Sequence, residues 1–241
     1  MERRRNIAVV LAGGSGRRLG GDMPKQFLTI AGRRVVEYTI DVFERNAAIN
    51  EVAVVVNPLY LSLMREIVES NRWTKVHQLL QGGEERYLST LSAIEAYKGC
   101  GPCNLIFHDA VRPLVSDRVI SDVVEALERH DAVGVAVPLT DTLFKMREHG
   151  DEVEAVPPRN LLRRAQTPQA FRYEVIAKAY GKALSDQDFV TTDDCSVVLR
   201  YMPEVSIHVV EGEESNIKLT YRDDITLIEQ FLEKKKTTSN D

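Results

Sequence analysis

The sequence predicts an α/β protein with a Rossmann-like, three-layer architecture, in which a mainly parallel sheet lies between two layers of helices. Three observations lead to this prediction. Short apolar runs alternate with segments of helical period along most of the 241 residues. These runs are apolar at consecutive positions, which is typical of strands buried on both faces of a parallel sheet. The length also suits one large α/β domain, so we expect a single domain over residues 1–241.

The apolar runs predict the strands in chain order. They fall at residues 7–11, 52–56, 76–80, 104–107, 132–137 and 205–210. Helices are predicted where apolar residues recur every three or four positions. Such positions are Val36, Ile40 and Phe43, and then Ile120, Val123, Val124 and Leu127. Further helical patterns cover residues 172–184 and the segment after Asp223.

The pattern changes after residue 137, where turn-forming and charged residues replace the apolar runs. The stretches "TDTLFKM" and "DEVEAV" flank the turn "REHGD" and predict a hairpin, and "PPRN" interrupts any helix there. We therefore expect an arm-like β insertion over about residues 139–170.

Composition and charge indicate a globular protein that binds neither nucleic acid nor a membrane. Hydrophobic residues make up 44% and charged residues 28% of the chain, and the net charge is −5. A bound anion must then be held by locally placed Arg and Lys. The N-terminal apolar stretch is too short for the core of a signal peptide, and no run approaches the ~20 apolar residues of a membrane span. We expect a cytoplasmic protein.

The cysteines resemble a redox motif without its context. Cys100-Gly-Pro-Cys103 reproduces the C-x-x-C pattern, but a helical segment precedes it and a strand follows, the reverse of the redox proteins. With only Cys195 besides, the chain also has too few thiolates for a zinc site. We interpret Gly-Pro as a turn.

The stretch "LAGGSGRRLGGDMPKQF", residues 11–27, follows the first predicted strand and is typical of a phosphate-binding loop. It matches neither dinucleotide nor P-loop patterns, since Leu19 replaces the third fingerprint glycine and Asp22 replaces the P-loop lysine. Small residues let backbone N–H groups approach a phosphate, and Arg17, Arg18 and Lys25 add cationic donors. The alternative, a glycine turn with solvated basic residues, does not explain why proline fixes the chain just before Lys25.

Four further clusters lie at predicted strand ends or in the insertion, where ligands of open α/β sheets bind. They are "GGEERYLS" from Gly82, "HDAVRP" from His108, "PPRNLLRRAQTPQAF" from residue 157 and "SNIKLT" from residue 215. Each alone is equally consistent with ordinary turns and surface cations. We assign His108 no chemistry, and Asp193 and Asp194 are interpreted as caps of the following helix.

The clusters together are rich in Arg and Lys, but they offer no obvious nucleophile and no histidine base. Such a site favours phosphoryl or nucleotidyl transfer, where catalysis is mostly positioning and charge stabilisation. A phosphate monoester that attacks has a second pKa of about 6 and is already largely dianionic at pH 7, so it needs no base.

In their order along the chain, these motifs closely resemble the CTP-dependent cytidylyltransferases that activate polyol phosphates. The similarity covers about residues 6–231 and also includes "DT" at 141–142 and "TDD" at 192–194. It implies a nucleotidyltransferase that uses CTP and a polyol phosphate, with Mg²⁺ or another divalent cation held mainly by the CTP phosphates and Asp109 as a candidate protein ligand. It also implies a homodimer in which the arm of one subunit reaches its neighbour's active site.

The resemblance also implies roles for individual residues. Charge developing at the α-phosphorus would be stabilised by Arg18 and Lys25, which we expect to be catalytic together with Arg159 and Lys218. The nucleotide would contact Leu11, Ala12, Gly13, Gly14, Gly16, Arg17, Gly82, Gly83, Arg86, Ser89 and Asp109. The acceptor phosphate would contact Asp109, Arg112, Thr142, Arg159, Thr167, Thr192 and Lys218.

The acceptor itself is read from two short motifs. The chain has "LAGG" and "HDAVRP", where the methylerythritol phosphate enzymes usually show "AAG" and "HDAARP". We therefore favour ribitol 5-phosphate, with 2-C-methyl-D-erythritol 4-phosphate of the isoprenoid precursor pathway as the alternative. More distant hypotheses are a sugar-1-phosphate nucleotidyltransferase, an NAD-dependent dehydrogenase and a non-catalytic nucleotide sensor. This chain lacks the acidic ribose ligand that a dehydrogenase would have at the end of its second strand.

Overall fold

The computed structural model describes residues 4–14, 23–148 and 150–238, the side chains of 235–238 excepted. Its strands, in chain order, are β1 Arg5–Ala12, β2 Thr29–Ile30, β3 Arg33–Arg34, β4 Glu51–Val56, β5 Val76–Gln81, β6 Cys103–Asp109, β7 Ala132–Pro138, β8 Lys145–Met146, β9 Val153–Ala155, β10 Arg163–Arg172 and β11 Ile207–Glu211. Its helices are α1 Val35–Arg45, α2 Leu61–Asn71, α3 Arg86–Ala96, α4 Asp117–Leu127, α5 Tyr173–Ala183, α6 Asp194–Tyr201 and α7 Asp223–Thr238.

Within this part of the chain, seven strands form one sheet in the order β11-β7-β10-β6-β1-β4-β5. Every pairing is parallel except those of β10, which runs antiparallel to both β6 and β7. The carboxyl ends of β1, β4, β5 and β6 therefore lie along the same edge. That edge carries the loop after Ala12, the turn after Gln81 and the carboxylate of Asp109.

The sheet separates two apolar layers, because alternate residues of each strand face opposite sides. On one face, Ala8 and Val10 of β1 pack with α1, α2 and α4. On the other face, Ile7 and Val9 pack with α3, α5 and α6. A smaller cluster joins the C-terminal helix α7 to Ile30 and Leu219. The predicted three-layer, mainly parallel fold is thus confirmed, since each strand of the sheet's centre is buried on both faces.

The central strand β10 is where the sequence prediction was wrong. We expected residues up to about 170 to belong to the arm, whereas the structure places Arg163–Arg172 between β6 and β7. The segment has no apolar run because polar side chains alternate with small ones and Pro168 interrupts it. The proline lies where the pairing with β7 shifts between Gln166 and Gln169, so its missing N–H removes no regular ladder bond.

The rest of the insertion follows the prediction. Strands β8 and β9 form an antiparallel hairpin, and a 3-10 turn at Arg159–Leu161 leads from it into β10. The hairpin segment and the turn after it expose apolar side chains, among them Phe144 at 62% and Leu161 at 75%.

The Cys-Gly-Pro-Cys stretch is a turn between α3 and β6, as predicted. Its two sulfur atoms lie 3.4 Å apart, and Gly99 and Gly101 adopt positive φ angles. In the described residues, no helix has the length and apolarity that crossing a membrane requires.

Candidate active site

A cavity of about 550 Å³ opens at the carboxyl edge of the sheet, within the size range of small-molecule sites. Four segments that are distant in sequence form its walls. The lining residues are Leu11, Gly13, Gly14, Lys25, Gln26, Gly83, Glu84, Glu85, Arg86, Ser89, Asp109, Val111, Lys218, Leu219 and Thr220. The fold therefore brings the two described ends of the opening loop, "GGEERYLS", "HDAVRP" and "SNIKLT" to one place.

Two glycine turns meet at the buried hydroxyl of Ser89. A Cβ on Gly13 would lie 2.6 Å from Ser89 Oγ, and a Cβ on Gly82 would lie 2.8 Å from the same atom. Side chains at either position would thus push apart the loops that follow β1 and β5. Glycine at both positions keeps backbone N–H and C=O groups at the cavity wall, where they can read a flat polar ring by hydrogen bonding.

The opening loop is tied to the site by Gln26, a residue that the sequence analysis did not select. Its side-chain amide donates to the carbonyl oxygens of Ala12 at 2.7 Å and Gly14 at 2.9 Å, and the side chain is buried. The neighbouring Lys25 Nζ donates to the carbonyl oxygen of Thr220 at 2.7 Å. The proline before Lys25 therefore starts a 3-10 turn in which Lys25 lines the cavity and the next side chain, Gln26, holds the start of the opening loop.

Asp109, at the end of β6, is the electrostatic centre of the cavity. Lys218 Nζ lies 2.8 Å from its carboxylate, Arg86 Nε 3.4 Å and Arg112 Nε 3.7 Å. Burial alone would raise the pKa of this carboxyl, but Arg86, Lys218 and Arg112 outweigh burial and hold it well below its ordinary value. One anion thus orders three cations, of which Arg86 and Lys218 line the cavity and can also face phosphate groups.

His108 lies directly behind Asp109 and is fully buried. Its Nε2 is 3.1 Å from the carbonyl oxygen of Arg112, which can only accept, so Nε2 carries the proton. Its Nδ1 then accepts from the hydroxyl of Thr167 at 3.0 Å, and that hydroxyl accepts from the amide of Asp109 at 3.2 Å. Burial lowers the pKa of His108 to about 4. The imidazole is thus a neutral, hydrogen-bonded support behind Asp109.

A second buried carboxylate, Asp194, holds Arg86 from the other side. Arg86 Nη1 lies 2.8 Å from Asp194 Oδ2, while the hydroxyls of Thr90 and Tyr180 donate to Oδ1 at 2.9 and 2.7 Å. The neighbouring Asp193 is the N-cap of α6, as predicted, because its side chain accepts from the amide of Ser196. Asp194 was expected to share that role, but its side chain points inward to Arg86.

The donor set does not provide an all-protein metal site in the described residues, where no group of three or more His, Cys, Asp or Glu side chains converges. Asp109 is the buried carboxylate of the cavity, and Glu84 and Glu85 lie exposed at its wall. Magnesium commonly binds through one or two carboxylates and substrate phosphates. The residues present therefore fit a divalent cation that a bound polyphosphate would carry, and Asp109 is the buried carboxylate that could contact it.

The structure separates the predicted site residues into three groups. Those that line the cavity are Leu11, Gly13, Gly14, Lys25, Gly83, Arg86, Ser89, Asp109 and Lys218. Those that support the wall from behind are Ala12, Gly82, Arg112 and Thr167. Those that are exposed and away from the cavity are Thr142, Arg159 and Thr192, with Arg159 Nη1 donating to the carbonyl oxygen of Thr140. Gly16, Arg17 and Arg18 lie outside the described residues.

Three residues beside the site were not predicted because their contacts are long-range. Gln169 accepts from the amides of Asp194 and Cys195, and its own amide donates to Asp193. Asn216 is buried and donates to the carbonyl oxygen of Thr167. Gln26 stood in the quoted opening loop. The sequence offered one signal for all three residues: each is an uncharged polar side chain inside a motif that was already assigned to the site.

Comparison with known proteins gives a consistent picture. The family model of IspD, 2-C-methyl-D-erythritol 4-phosphate cytidylyltransferase, matches residues 6–234. The chain is 44% identical over 234 residues to the 2-C-methyl-D-erythritol 4-phosphate cytidylyltransferase of Thermobifida fusca (strain YX), which covers 95% of this chain and 94% of that protein.

A second relative has another name. The bifunctional ribulose 5-phosphate reductase/CDP-ribitol pyrophosphorylase Bcs1 of Haemophilus influenzae is 37% identical over 235 residues, covering 97% of this chain and 49% of that protein. Among solved structures, the 4-diphosphocytidyl-2C-methyl-D-erythritol synthase of Anaerococcus prevotii DSM 20548 superposes with a TM-score of 0.83 at 28% identity, over 95% of this chain and 96% of that one.

The family match spans nearly the whole chain, and the fold and the convergence of the motifs agree with it. These findings favour nucleotidyl transfer over the dehydrogenase and sensor hypotheses. The chain therefore belongs to the IspD family of CTP-dependent polyol-phosphate cytidylyltransferases and is a nucleotidyltransferase.

Proposed function

We propose that the enzyme transfers CMP from CTP to the phosphate of 2-C-methyl-D-erythritol 4-phosphate and releases pyrophosphate. The observation that carries the reaction class is the cavity at the carboxyl edge of the sheet, where the two glycine turns meet Lys25, Arg86 and Lys218 beside Asp109. The observation that favours this acceptor is the relatives' names. Most of the similar proteins named above are methylerythritol phosphate enzymes, with identities up to 44%. They support the alternative acceptor better than ribitol 5-phosphate, which the two short motifs favoured.

The glycine turns supply the nucleotide end of the proposed site. The cytosine would lie against Gly13, Gly83 and the buried Ser89, where backbone N–H and C=O groups could distinguish its polar edge from that of a purine. The triphosphate would extend towards Lys25, with Mg²⁺ or another divalent cation on its oxygens. Lys25, together with Arg18 of the opening loop, would stabilise the charge that builds at the α-phosphorus.

The acceptor phosphate would attack from the side of Lys218. In the described residues that line the cavity, neither histidine nor cysteine occurs, and His108 is neutral and hydrogen-bonded at both ring nitrogens. A cavity whose described lining offers neither a histidine nor a cysteine base is suited to a nucleophile that is already ionised, and a phosphate monoester meets this requirement at pH 7. Attack at the α-phosphorus forms the new P–O bond while pyrophosphate departs with the electron pair of the broken bond.

The arm would complete the site from a second subunit. Arg159 and Thr142 lie exposed on the segment that carries the apolar hairpin, and both are away from the cavity of their own chain. Exposed apolar groups such as Phe144 and Leu161 are typical of an interface. We therefore infer a homodimer in which these residues bind the acceptor phosphate in the partner's cavity. The cytoplasmic location stays a prediction.

Ribitol 5-phosphate is the second candidate acceptor, because the Haemophilus influenzae relative is named as a CDP-ribitol pyrophosphorylase and matches nearly the whole chain. Its sequence support is the pair of motifs "LAGG" and "HDAVRP". The residues that distinguish these motifs from "AAG" and "HDAARP" include Leu11 and Val111, which both line the cavity and do not lie on the arm.

The test is pyrophosphate release with CTP and Mg²⁺ against a panel of methylerythritol 4-phosphate, ribitol 5-phosphate and a sugar 1-phosphate. We expect the highest kcat/KM with methylerythritol 4-phosphate and CTP preferred strongly over ATP and GTP. Lys25→Ala should abolish most of the release, whereas Lys178→Ala, an exposed lysine of α5 outside the cavity, should not. A higher kcat/KM with ribitol 5-phosphate would replace the acceptor, and equal turnover with ATP would remove the proposed nucleotide specificity.

A further inference from the structure

We propose that Asp194 is a positioning residue for cytidylyl transfer, which holds the Arg86 guanidinium at the cavity wall beside Asp109. The inference rests on the proposed function only in placing the nucleotide in this cavity. It does not depend on which polyol phosphate is the acceptor.

Asp194 has no exposed surface, which is unusual for a carboxylate and requires compensating partners. Its two oxygens face different groups. Oδ1 accepts from Thr90 of α3 and Tyr180 of α5, whereas Oδ2 faces Arg86 Nη1 at 2.8 Å. One oxygen is thus anchored to the scaffold, and the other is presented to a side chain of the active site.

The backbone of Asp194 is anchored as firmly as its carboxylate. Gln169, on the central strand β10, accepts from the amide of Asp194 at 2.9 Å and from that of Cys195 at 3.1 Å. Helices α3, α5 and α6 and strand β10 therefore all contribute to the position of this one carboxylate. It is in place before any ligand arrives.

Arg86 transmits this position to the reacting groups. Its side chain is only 26% exposed, and its Nε lies 3.4 Å from Asp109, which in turn lies 2.8 Å from Lys218. Without Asp194, the guanidinium would have Asp109 as its nearby anion and could move towards it, away from the wall. A displacement of ~1 Å in a group of this kind can cost up to about 10²-fold in activity.

The decisive variant is Asp194→Asn, which keeps the shape and removes the charge. Its side-chain oxygen can still accept from Thr90 and Tyr180, but an amide N–H then faces Arg86 Nη1. If the amide is flipped so that its oxygen faces Arg86, Arg86 still loses the negative charge of residue 194. We expect the Kd and KM for CTP to rise roughly tenfold or more. The KM for the acceptor should change less, because Lys218 keeps its own contact with Asp109.

The matched control is Tyr180→Phe, which removes a hydroxyl from Oδ1 and leaves the Oδ2 contact with Arg86 in place. We expect it to lower the melting temperature while the KM for CTP stays within about twofold. Arg86→Ala closes the cycle, since adding Asp194→Asn to it should cause no further kinetic loss. These measurements are CTP titration by calorimetry with Mg²⁺, steady-state kinetics and thermal melts.

A purely structural role would lower the melting temperature in both Asp194→Asn and Tyr180→Phe and leave CTP affinity unchanged in both, and this result would overturn the inference. An equal kinetic loss for Asp194→Asn in the presence and absence of Arg86 would also overturn it. If the wild-type enzyme bound no CTP, the placement of the nucleotide would fail as well. If the wild type binds CTP and Asp194→Asn binds it equally well, only the inference fails.

Discussion

Replacing Asp109 by Asn should destabilise the ligand-free enzyme, because three cations would lose the anion between them. The cost of removing one partner of a buried ion pair is about 3–5 kcal/mol. Two facts reduce it here. Arg86 retains Asp194 at 2.8 Å, and the side chain of Lys218 is 45% exposed and can turn to water. The uncompensated charge is then chiefly that of Arg112, which is 13% exposed, so we expect about 3 kcal/mol.

The assay is thermal unfolding without ligand, followed by circular dichroism or calorimetry. For a chain of this length, 1 kcal/mol corresponds to roughly 2–4 °C, so the melting temperature of Asp109→Asn should fall by roughly 6–12 °C. Asp131→Asn is the matched control, since it breaks the partly exposed pair with Arg172 and should cost no more than about 1 kcal/mol. Adding Lys218→Ala to Asp109→Asn should change the melting temperature little further, because the exposed Lys218 can already turn to water. A melting temperature of Asp109→Asn within ~2 °C of wild type would refute the reasoning.

Three other predictions follow from the same geometry. Burial lowers the pKa of His108 to about 4 from an unfolded value of about 6.5, so the folded state binds fewer protons than the unfolded state between these pH values. The free energy of unfolding should therefore fall by up to ~3 kcal/mol as pH drops through this window. His108→Gln should make the melting temperature depend less on pH between pH 4.5 and 7, and an unchanged pH dependence would contradict this. Lys218→Ala should raise the acceptor KM and leave CTP binding nearly unchanged in steady-state kinetics, and the reverse pattern would count against our division of the site. Lys25→Ala and Arg159→Ala should each be inactive alone, and activity should return when the two variants are mixed. If subunit exchange is verified and no activity returns, the proposed cross-subunit role of Arg159 is wrong.

The sequence predicts the parallel part of the fold because its strands are apolar on both faces. Strands β1, β4 and β6 could be predicted without knowing which strands they pair with, because a strand buried on both faces is apolar at consecutive positions. The strand β10 could not be found in this way. Its side chains at Gln166 and Gln169 are buried but hydrogen-bonded, and local sequence does not distinguish a satisfied buried amide from an exposed one.

The residues of the candidate site also differ in whether local sequence could predict them. Residues that sit in a short motif at a strand end, such as Lys25, Asp109 and Lys218, were selected from sequence, and the structure brings them to one cavity. Asp194 was assigned to a cap because its partner Arg86 is more than 100 residues away in the chain. Arg159 was assigned a role only by resemblance, since the periodicity of a chain carries no information about contacts with a second subunit.

The position of β10 has a consequence for how the chain is made. Strand β7 leaves the ribosome before either of its partners, because β10 and β11 both follow it in sequence. At ordinary synthesis rates of ~5–20 residues per second, the roughly 35 residues from the end of β7 to the end of β10 take about 2–7 s. During that interval the apolar stretch "AVGVAVP" and one edge of β6 are unpaired. Released chains truncated after residue 162 should therefore aggregate or recruit a chaperone, and released chains that extend through β10 and β11 should do so less, which light scattering after cell-free synthesis would measure.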